Sequence, residues 1–379
     1  MTYLFKDELL DELGTLALGY IPYGGADFGE VAAVARAVGD GDRNAFYDAW
    51  LAAADRFASR QLYLRAACFY GASYRPLFGF PVDERLKDAF RKQIAAFERG
   101  LSLLDVPADV LRVPFEGTTM PAYVIHPPDA PRDEARPLLI STNGYDATVV
   151  DMFFATAVEA VRRGYRCLIF DGPGQGEMLI EQGLHLRPDW ETVVRAVVDV
   201  AVTLPYVDTS RMVLTGWSLG GYLAPRAASG EPRLAACVAD PGLYGMTSAL
   251  GSVTGDKGIQ TAIGALSQMM EKSPRMRWGI EQRGYWVNGV DNLADYIKCI
   301  SEFTLEGRAD KIECPTLLTT AENDPLGATA QPLYDALACP KRLVKFTAAE
   351  GAGMHCEQMN RSLLNRTVFD WLDEVLAKP

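Results

Sequence analysis

The chain has 379 residues, 49% of them hydrophobic and 23% charged, a balance that excludes a mainly disordered or collagen-like chain and fits two domains or one large α/β domain with an attachment. Thirty-seven Lys and Arg against 49 Asp and Glu leave a net charge of −12, which speaks against nucleic acid and anionic membranes as partners. No run approaches the roughly 18 unbroken apolar residues of a membrane helix. The acidic, amphipathic start MTYLFKDELLDEL lacks the basic and apolar parts of a signal peptide, and seven scattered cysteines form no CxxC pair. A reducing, cytoplasmic setting is therefore expected, with no zinc site and no disulfide framework.

Residues 1–107 read as helices. In 42–60 the apolar residues Phe46, Ala49, Trp50, Ala53, Ala54 and Phe57 recur at spacings of three and four, with Arg43, Asp48, Asp55 and Arg56 opposite. That is the stripe of an amphipathic helix. Helices are also expected over 61–70 and 82–104, with Tyr74-Arg75-Pro76 interrupting the chain between them. The pattern changes near residue 108. Segments 110–115 and 120–125 read as a hairpin. Short apolar strands follow at 137–142, 166–171, 211–215, 234–239, 315–320 and 342–346. Helices are expected over 149–163, from 188, from 219, near 330–337 and over 355–376. Strands alternating with helices of this length mean βαβ units, hence a mostly parallel, doubly wound sheet. Residues 243–310 break the alternation and read as a helical insertion in a sheet domain spanning 108–379.

The strongest chemical signal is Gly216-Trp217-Ser218-Leu219-Gly220-Gly221, after an apolar strand and at the head of a helix. A Gly-x-Ser-x-Gly elbow turns so sharply that side chains beside the serine would clash, and it exposes the hydroxyl near a helix N-terminus. A chance GxSxG is the bland alternative, and the strand-then-helix context argues against it. A serine hydroxyl needs a general base. His355, in Glu350-Gly-Ala-Gly-Met-His355, is the single histidine downstream of Ser218. In chain order the acid falls between them. Asp324, just past the 315–320 strand, suits that role, with Asp240 and Glu322 as rivals. An oxyanion needs two preorganised N–H donors. Leu219 is one candidate. Tyr145, in Asn143-Gly144-Tyr145 after the 137–142 strand, is the other, and its hydroxyl is also placed to meet substrate.

Trp217 and Tyr70 are further candidate substrate contacts. The aromatic residues Trp50, Phe57, Tyr63, Phe69, Tyr70 and Tyr74 would suit an aromatic substrate, with core packing as the ordinary alternative. Asp171-Gly-Pro-Gly-Gln-Gly-Glu177 contains a Gly-x-Gly, but it lacks the acidic ribose ligand of a dinucleotide site and reads as a structural loop. His126 and His185 read as surface or loop residues, with His185 able to border a pocket. Pro225 should cost its helix a hydrogen bond. No cofactor and no metal is expected.

Together, Asp171–Gly176, Gly216–Gly221, Asp324 and His355, in this order along the chain, resemble the α/β-hydrolase fold over about residues 108–379. With about a hundred helical residues in front, the chain is similar to a narrower group that includes dihydroxypseudooxynicotine hydrolase and the fungal pigment hydrolases that shorten polyketides. The resemblance implies a helical cap over the serine and a homodimer. It implies a triad acting on a small substrate, aromatic or polyketide-like, by cleaving an ester or a carbon–carbon bond beside a ketone. The group's carbon–carbon hydrolases use an extra acidic residue near the triad, which the sequence does not locate. Two other readings stay open: a non-hydrolytic biosynthetic enzyme using the same triad for acyl transfer, cyclisation or elimination, and a small-molecule binding protein that has kept the fold.

Overall fold

A computed structural model of the chain describes residues 2–247 and 255–377. Eight strands, β1 (Asp109–Phe115), β2 (Thr118–Ile125), β3 (Arg136–Thr142), β4 (Arg166–Phe170), β5 (Val207–Trp217), β6 (Ala236–Asp240), β7 (Thr316–Ala321) and β8 (Lys341–Phe346), form one sheet. Their order is β1-β2-β4-β3-β5-β6-β7-β8. The β1–β2 and β2–β4 pairings are antiparallel and all others, including β3–β4, are parallel. Every residue of β4 and β6 is buried, as expected of strands covered on both faces. The order reverses at β3, with β4 on one side and β5 on the other. Loops leaving the carboxyl ends of β3 and β5 therefore open a crevice, the place where doubly wound sheets bind ligands.

Residues 1–107 form helices α1 (Glu8–Gly19), α2 (Phe28–Val38), α3 (Arg43–Ser59), α4 (Tyr63–Tyr74) and α5 (Glu84–Leu101). The chain breaks after Tyr74, where Arg75–Leu77 forms a 3-10 turn with Pro76 at its start. The aromatic residues of these helices pack on one another. Trp50 and Phe69 are fully buried with ring centroids 4.9 Å apart, and Phe57 meets Phe69 edge-on at 4.8 Å. The bland reading of those aromatics is the one the structure bears out. Phe97 of α5 meets Tyr123 of β2 at 5.3 Å, so the helices and the sheet share one hydrophobic cluster. A buried ion pair between Arg75 and Asp151 joins them again, and Tyr20 O–H donates to the same Asp151 Oδ1 at 2.9 Å.

Helix α6 (Val149–Met152) follows β3 and runs through a π turn into α7 (Val158–Arg162). Helices α8 (Gly176–Ile180), α9 (Trp190–Ala201) and α10 (Gly220–Ala228) follow β4 and β5. Between β6 and β7 lie α11 (Gly255–Lys272), α12 (Pro274–Arg277), α13 (Tyr285–Asn288) and α14 (Leu293–Ser301). Part of the expected insertion, residues 248–254, lies outside the described residues. The rest has its own small core of Leu266, Met270, Ile280, Ile297 and Ile300. Helices α15 (Ala330–Ala336) and α16 (Arg361–Leu376) flank β8. Among the described residues no helix is long and apolar enough to cross a membrane.

Three details differ from the sequence reading or explain it. The last helix begins at Arg361, not at 355: His355–Glu357 is a separate turn in which Cys356 and Glu357 have positive φ, which a helix cannot accommodate. His126 is buried, not at the surface. Burial, with the charges of Arg132 and Arg166, pushes it down to about 4, so the neutral ring accepts an Arg166 guanidinium N–H through Nδ1 at 2.6 Å. Pro225 sits inside α10, and the Gly221 carbonyl that its missing N–H would have served accepts the Leu243 N–H at 3.3 Å.

Candidate active site

Strand β5 ends at Trp217 and α10 begins at Gly220, so the chain must reverse within two residues. Ser218 absorbs the turn with φ 60, a left-handed backbone that an L-residue adopts at a cost. A Cβ on Gly216 would lie 1.8 Å from the Gly220 carbonyl oxygen, so only glycine fits there. The Ser218 N–H donates to the Asp240 carbonyl at 2.7 Å, which ties the turn to the end of β6.

The loops after β7 and β8 bring two more side chains to this point. His355 Nε2 lies 2.9 Å from Ser218 Oγ, and His355 Nδ1 lies 2.7 Å from Asp324 Oδ2. Asp324 is fixed in turn by the Leu326 N–H, which donates to Oδ1 at 3.0 Å. Burial of the imidazole works against its charged form, but the hydrogen bond and charge of Asp324, with Asp240 and Glu12 further off, hold His355 above the ordinary histidine value. The rival acids are engaged elsewhere: Glu322 accepts the Ala348 N–H at 2.8 Å, and Asp240 Oδ1 accepts from Thr319 Oγ1 at 2.9 Å.

The Asn143-Gly144-Tyr145 loop presses against the serine. A Cβ on Gly144 would lie 2.8 Å from Ser218 Cβ and 3.2 Å from its Oγ. The N–H groups of Leu219 and Tyr145 find no acceptor among the described residues, although both residues are buried. Their surroundings explain the loop's posture. Gln175 Nε2 donates to the Asn143 and Gly144 carbonyls at 2.8 and 3.1 Å, turning those oxygens toward itself. Asp171 accepts from Asn143 Nδ2 at 2.8 Å and from the Val149 N–H at 2.9 Å. Complete burial pushes Asp171 up to about 7 against these donors. The loop at 171–177, read as structural, thus holds the loop beside the serine, and only its position after β4 hinted at this.

The insertion grips the same loop from above. Arg283 Nη1 donates to Asp146 Oδ2 at 3.1 Å, and its guanidinium lies over the rings of Tyr145 and Trp278 at 5.3 and 5.1 Å. Asn288 Nδ2 donates to the Tyr145 hydroxyl. That hydroxyl, expected to meet substrate, is therefore held by the protein. Two other expected contacts are not brought to the serine. The Trp217 ring turns inward beneath Arg361, 4.8 Å from its guanidinium, and lines an internal cavity of about 20 Å³ with Asp240 and Asn365. Tyr70 donates to Asp55 Oδ1 at 2.6 Å within the N-terminal helices. His185 is exposed and borders a surface groove with Phe115 and Arg187. Sequence reasoning missed Gln175, Arg283 and Asn288, because each acts through a contact distant in the chain.

An acceptor–imidazole–hydroxyl relay, beside the Leu219 and Tyr145 N–H groups, can move a proton off Ser218 and receive a negative oxygen. Comparisons with known proteins agree with this frame. A model described as the alpha/beta hydrolase family matches residues 138–363. Hydrolase acrC of Aspergillus aculeatus is 32% identical, covering 94% of each chain. The 20-hydroxy-prefusarin hydrolase FUS2 of Gibberella moniliformis is 30% identical over 95% of this chain and 94% of its own. The solved 2,6-dihydroxy-pseudo-oxynicotine hydrolase superposes with a TM-score of 0.71 over 94% of this chain and 95% of its own; at 21% identity this likeness concerns the fold.

Proposed function

Because the chain belongs to the alpha/beta hydrolase family and is a hydrolase, we propose that it is a serine hydrolase whose nucleophile is Ser218, base His355 and acid Asp324. The observation that carries this reading is the unbroken relay from Ser218 Oγ through both ring nitrogens of His355 to Asp324, with spacings of 2.9 and 2.7 Å. Ser218 Oγ attacks a substrate carbonyl as Nε2 takes its proton. Asp324 keeps the other proton on Nδ1 and stabilises the imidazolium. The N–H groups of Leu219 and Tyr145 receive the oxyanion, a contribution worth roughly 3–4 kcal/mol per donor in enzymes of this kind. His355 then returns its proton to the leaving group. A water molecule, deprotonated by the same ring, releases the acyl group and restores the serine.

The substrate class we propose is a small aromatic or polyketide-like molecule carrying an ester or a ketone with a cleavable neighbouring carbon–carbon bond. Similarity to a protein named 20-hydroxy-prefusarin hydrolase supports a secondary-metabolite substrate. Intact mass after treatment with a fluorophosphonate tests the nucleophile. One adduct on the wild type and none on Ser218→Ala is expected. An adduct that survives in Ser218→Ala would overturn the assignment. Hydrolysis of ester and β-diketone panels in labelled water, with label in the released acid, then separates hydrolysis from transfer to a second substrate.

A further inference from the structure

Directly after His355 the backbone adopts a costly shape. Cys356 has φ 52 and Glu357 φ 46. Each such residue is strained and persists only where its surroundings over-determine it. The turn drives Glu357 inward. The residue has no exposed surface, and neither carboxyl oxygen has a hydrogen-bond donor among the described residues. Arg361, the cation that acts on it, gives Nη1 to the Cys356 carbonyl at 2.8 Å and its face to the Trp217 ring.

What Glu357 meets is a second acid. Its carboxyl faces that of Asp240 at the end of β6. Asp240 Oδ1 accepts from Thr319, and its Oδ2 has no donor among the described residues. A buried Glu357 carboxylate with no hydrogen-bond donor among the described residues, and with another acid nearby, is strongly disfavoured in its charged form. Burial, then the neighbouring Asp240 and more weakly Asp324, hold Glu357 protonated well above the usual carboxyl range, with Arg361 opposing them. The Cys356 thiol beside it is pushed up as well and stays neutral. A proton on Glu357 supplies the one donor that Asp240 Oδ2 lacks. Asp240 also frames the serine, since its carbonyl accepts the Ser218 N–H and lies 3.7 Å from Cys356 Sγ.

We propose that Glu357 is a positioning residue: its carboxyl donates a proton to Asp240, and this bond locks the His355 turn onto the end of β6, whose Asp240 carbonyl holds the Ser218 N–H. The inference rests on the triad reading and adds to it a residue that touches neither the serine nor the substrate.

The test compares wild type, Glu357→Gln and Glu357→Ala by the rate of fluorophosphonate capture and by infrared difference spectra. At about pH 8 ordinary carboxyls are ionised. The wild type minus Glu357→Gln spectrum should show the C=O stretch of a neutral carboxylic acid. The Gln amide can donate in place of the O–H, so that variant should keep most of the capture rate. Glu357→Ala should lose on the order of a hundredfold through misplacement of His355. Absence of the neutral-acid band, or equal rates in the Gln and Ala variants, overturns the proposal. If the Ala variant fails to fold, the infrared comparison decides alone. Failure of the wild type to react strikes the triad reading instead, whereas normal capture with equal variant rates strikes only this inference.

Discussion

Asp324→Asn is a sharp test of the relay because the structure dictates how the new amide must sit. Asp324 Oδ1 accepts the Leu326 N–H at 3.0 Å, and Oδ2 faces His355 Nδ1 at 2.7 Å. The side chain is 1% exposed, so water cannot substitute for either partner. An asparagine has one acceptor oxygen, and the Leu326 N–H claims it. The NH2 then faces Nδ1, which must present its lone pair. The ring proton moves to Nε2 and points at Ser218 Oγ, 2.9 Å away. Flipping the amide would set two donors against each other at Leu326. The base is thus held in the wrong tautomer, a change worth about four orders of magnitude in serine triads. At 1.36 kcal/mol per tenfold this is about 5.4 kcal/mol of barrier. The assay is the rate constant for fluorophosphonate capture across pH, followed by intact mass, with a thermal melt to verify folding. In the wild type, burial pulls the His355 value down but Asp324 carries it above the ordinary one, so capture should rise with pH through that raised ionisation. In Asp324→Asn the residual rate should rise at lower pH. A folded variant within about tenfold of wild type, or an unchanged pH profile, would refute the reasoning.

Three other outcomes follow from the packing. Arg75→Met strips the buried Asp151 carboxylate of its cation and should cost about 3–5 kcal/mol in reversible urea unfolding, while the double change with Asp151→Leu should recover much of that; a loss below about 1 kcal/mol would mean the pair is not desolvated. Ser218→Gly should be more stable than Ser218→Ala by about 1 kcal/mol, because both lack the hydroxyl but only glycine is unstrained at φ 60; differential scanning calorimetry giving equal melting points would count against the strained elbow. Asp171 has a folded value of about 7 against an ordinary 3.8, so the unfolded chain releases its proton first and stability falls as pH rises from about 4 to about 7. Asp171→Asn should flatten that part of the stability curve, and an unaltered slope would place the titration elsewhere.

Much of the site was legible because its requirements are local. Gly216-x-Ser218-x-Gly220 announces a turn whose neighbours cannot carry side chains, and the distance of 1.8 Å at Gly216 is the physical form of that rule. His355 was identifiable by elimination, as the single histidine downstream of the serine. Asp324 was readable as an acid after a strand, but Asp240 and Glu322 satisfied the same criterion. What separates them is where each carboxylate finds its donors: Thr319 for Asp240 and the Ala348 N–H for Glu322. The turn after His355 was misread as helix because Cys-Glu-Gln carries no glycine or proline to announce two left-handed residues.

By itself the chain determined the alternation of strands and helices, the elbow, and the histidine that could serve it, because periodicity, turn sterics and residue count are properties of neighbours in sequence. Only the tertiary structure decided which acid meets the imidazole and where the aromatic rings go. It also decided what holds the loop beside the serine. Asp171 and Gln175 reach it from the end of β4, and Arg283 and Asn288 from the insertion. Trp217, adjacent to the serine in sequence, turns into the interior, while Asp324 and His355, 106 and 137 residues downstream, complete the relay. The reason is that a buried polar group must find its partner wherever the fold brings one, and hydrogen-bond demand is settled in space rather than along the chain.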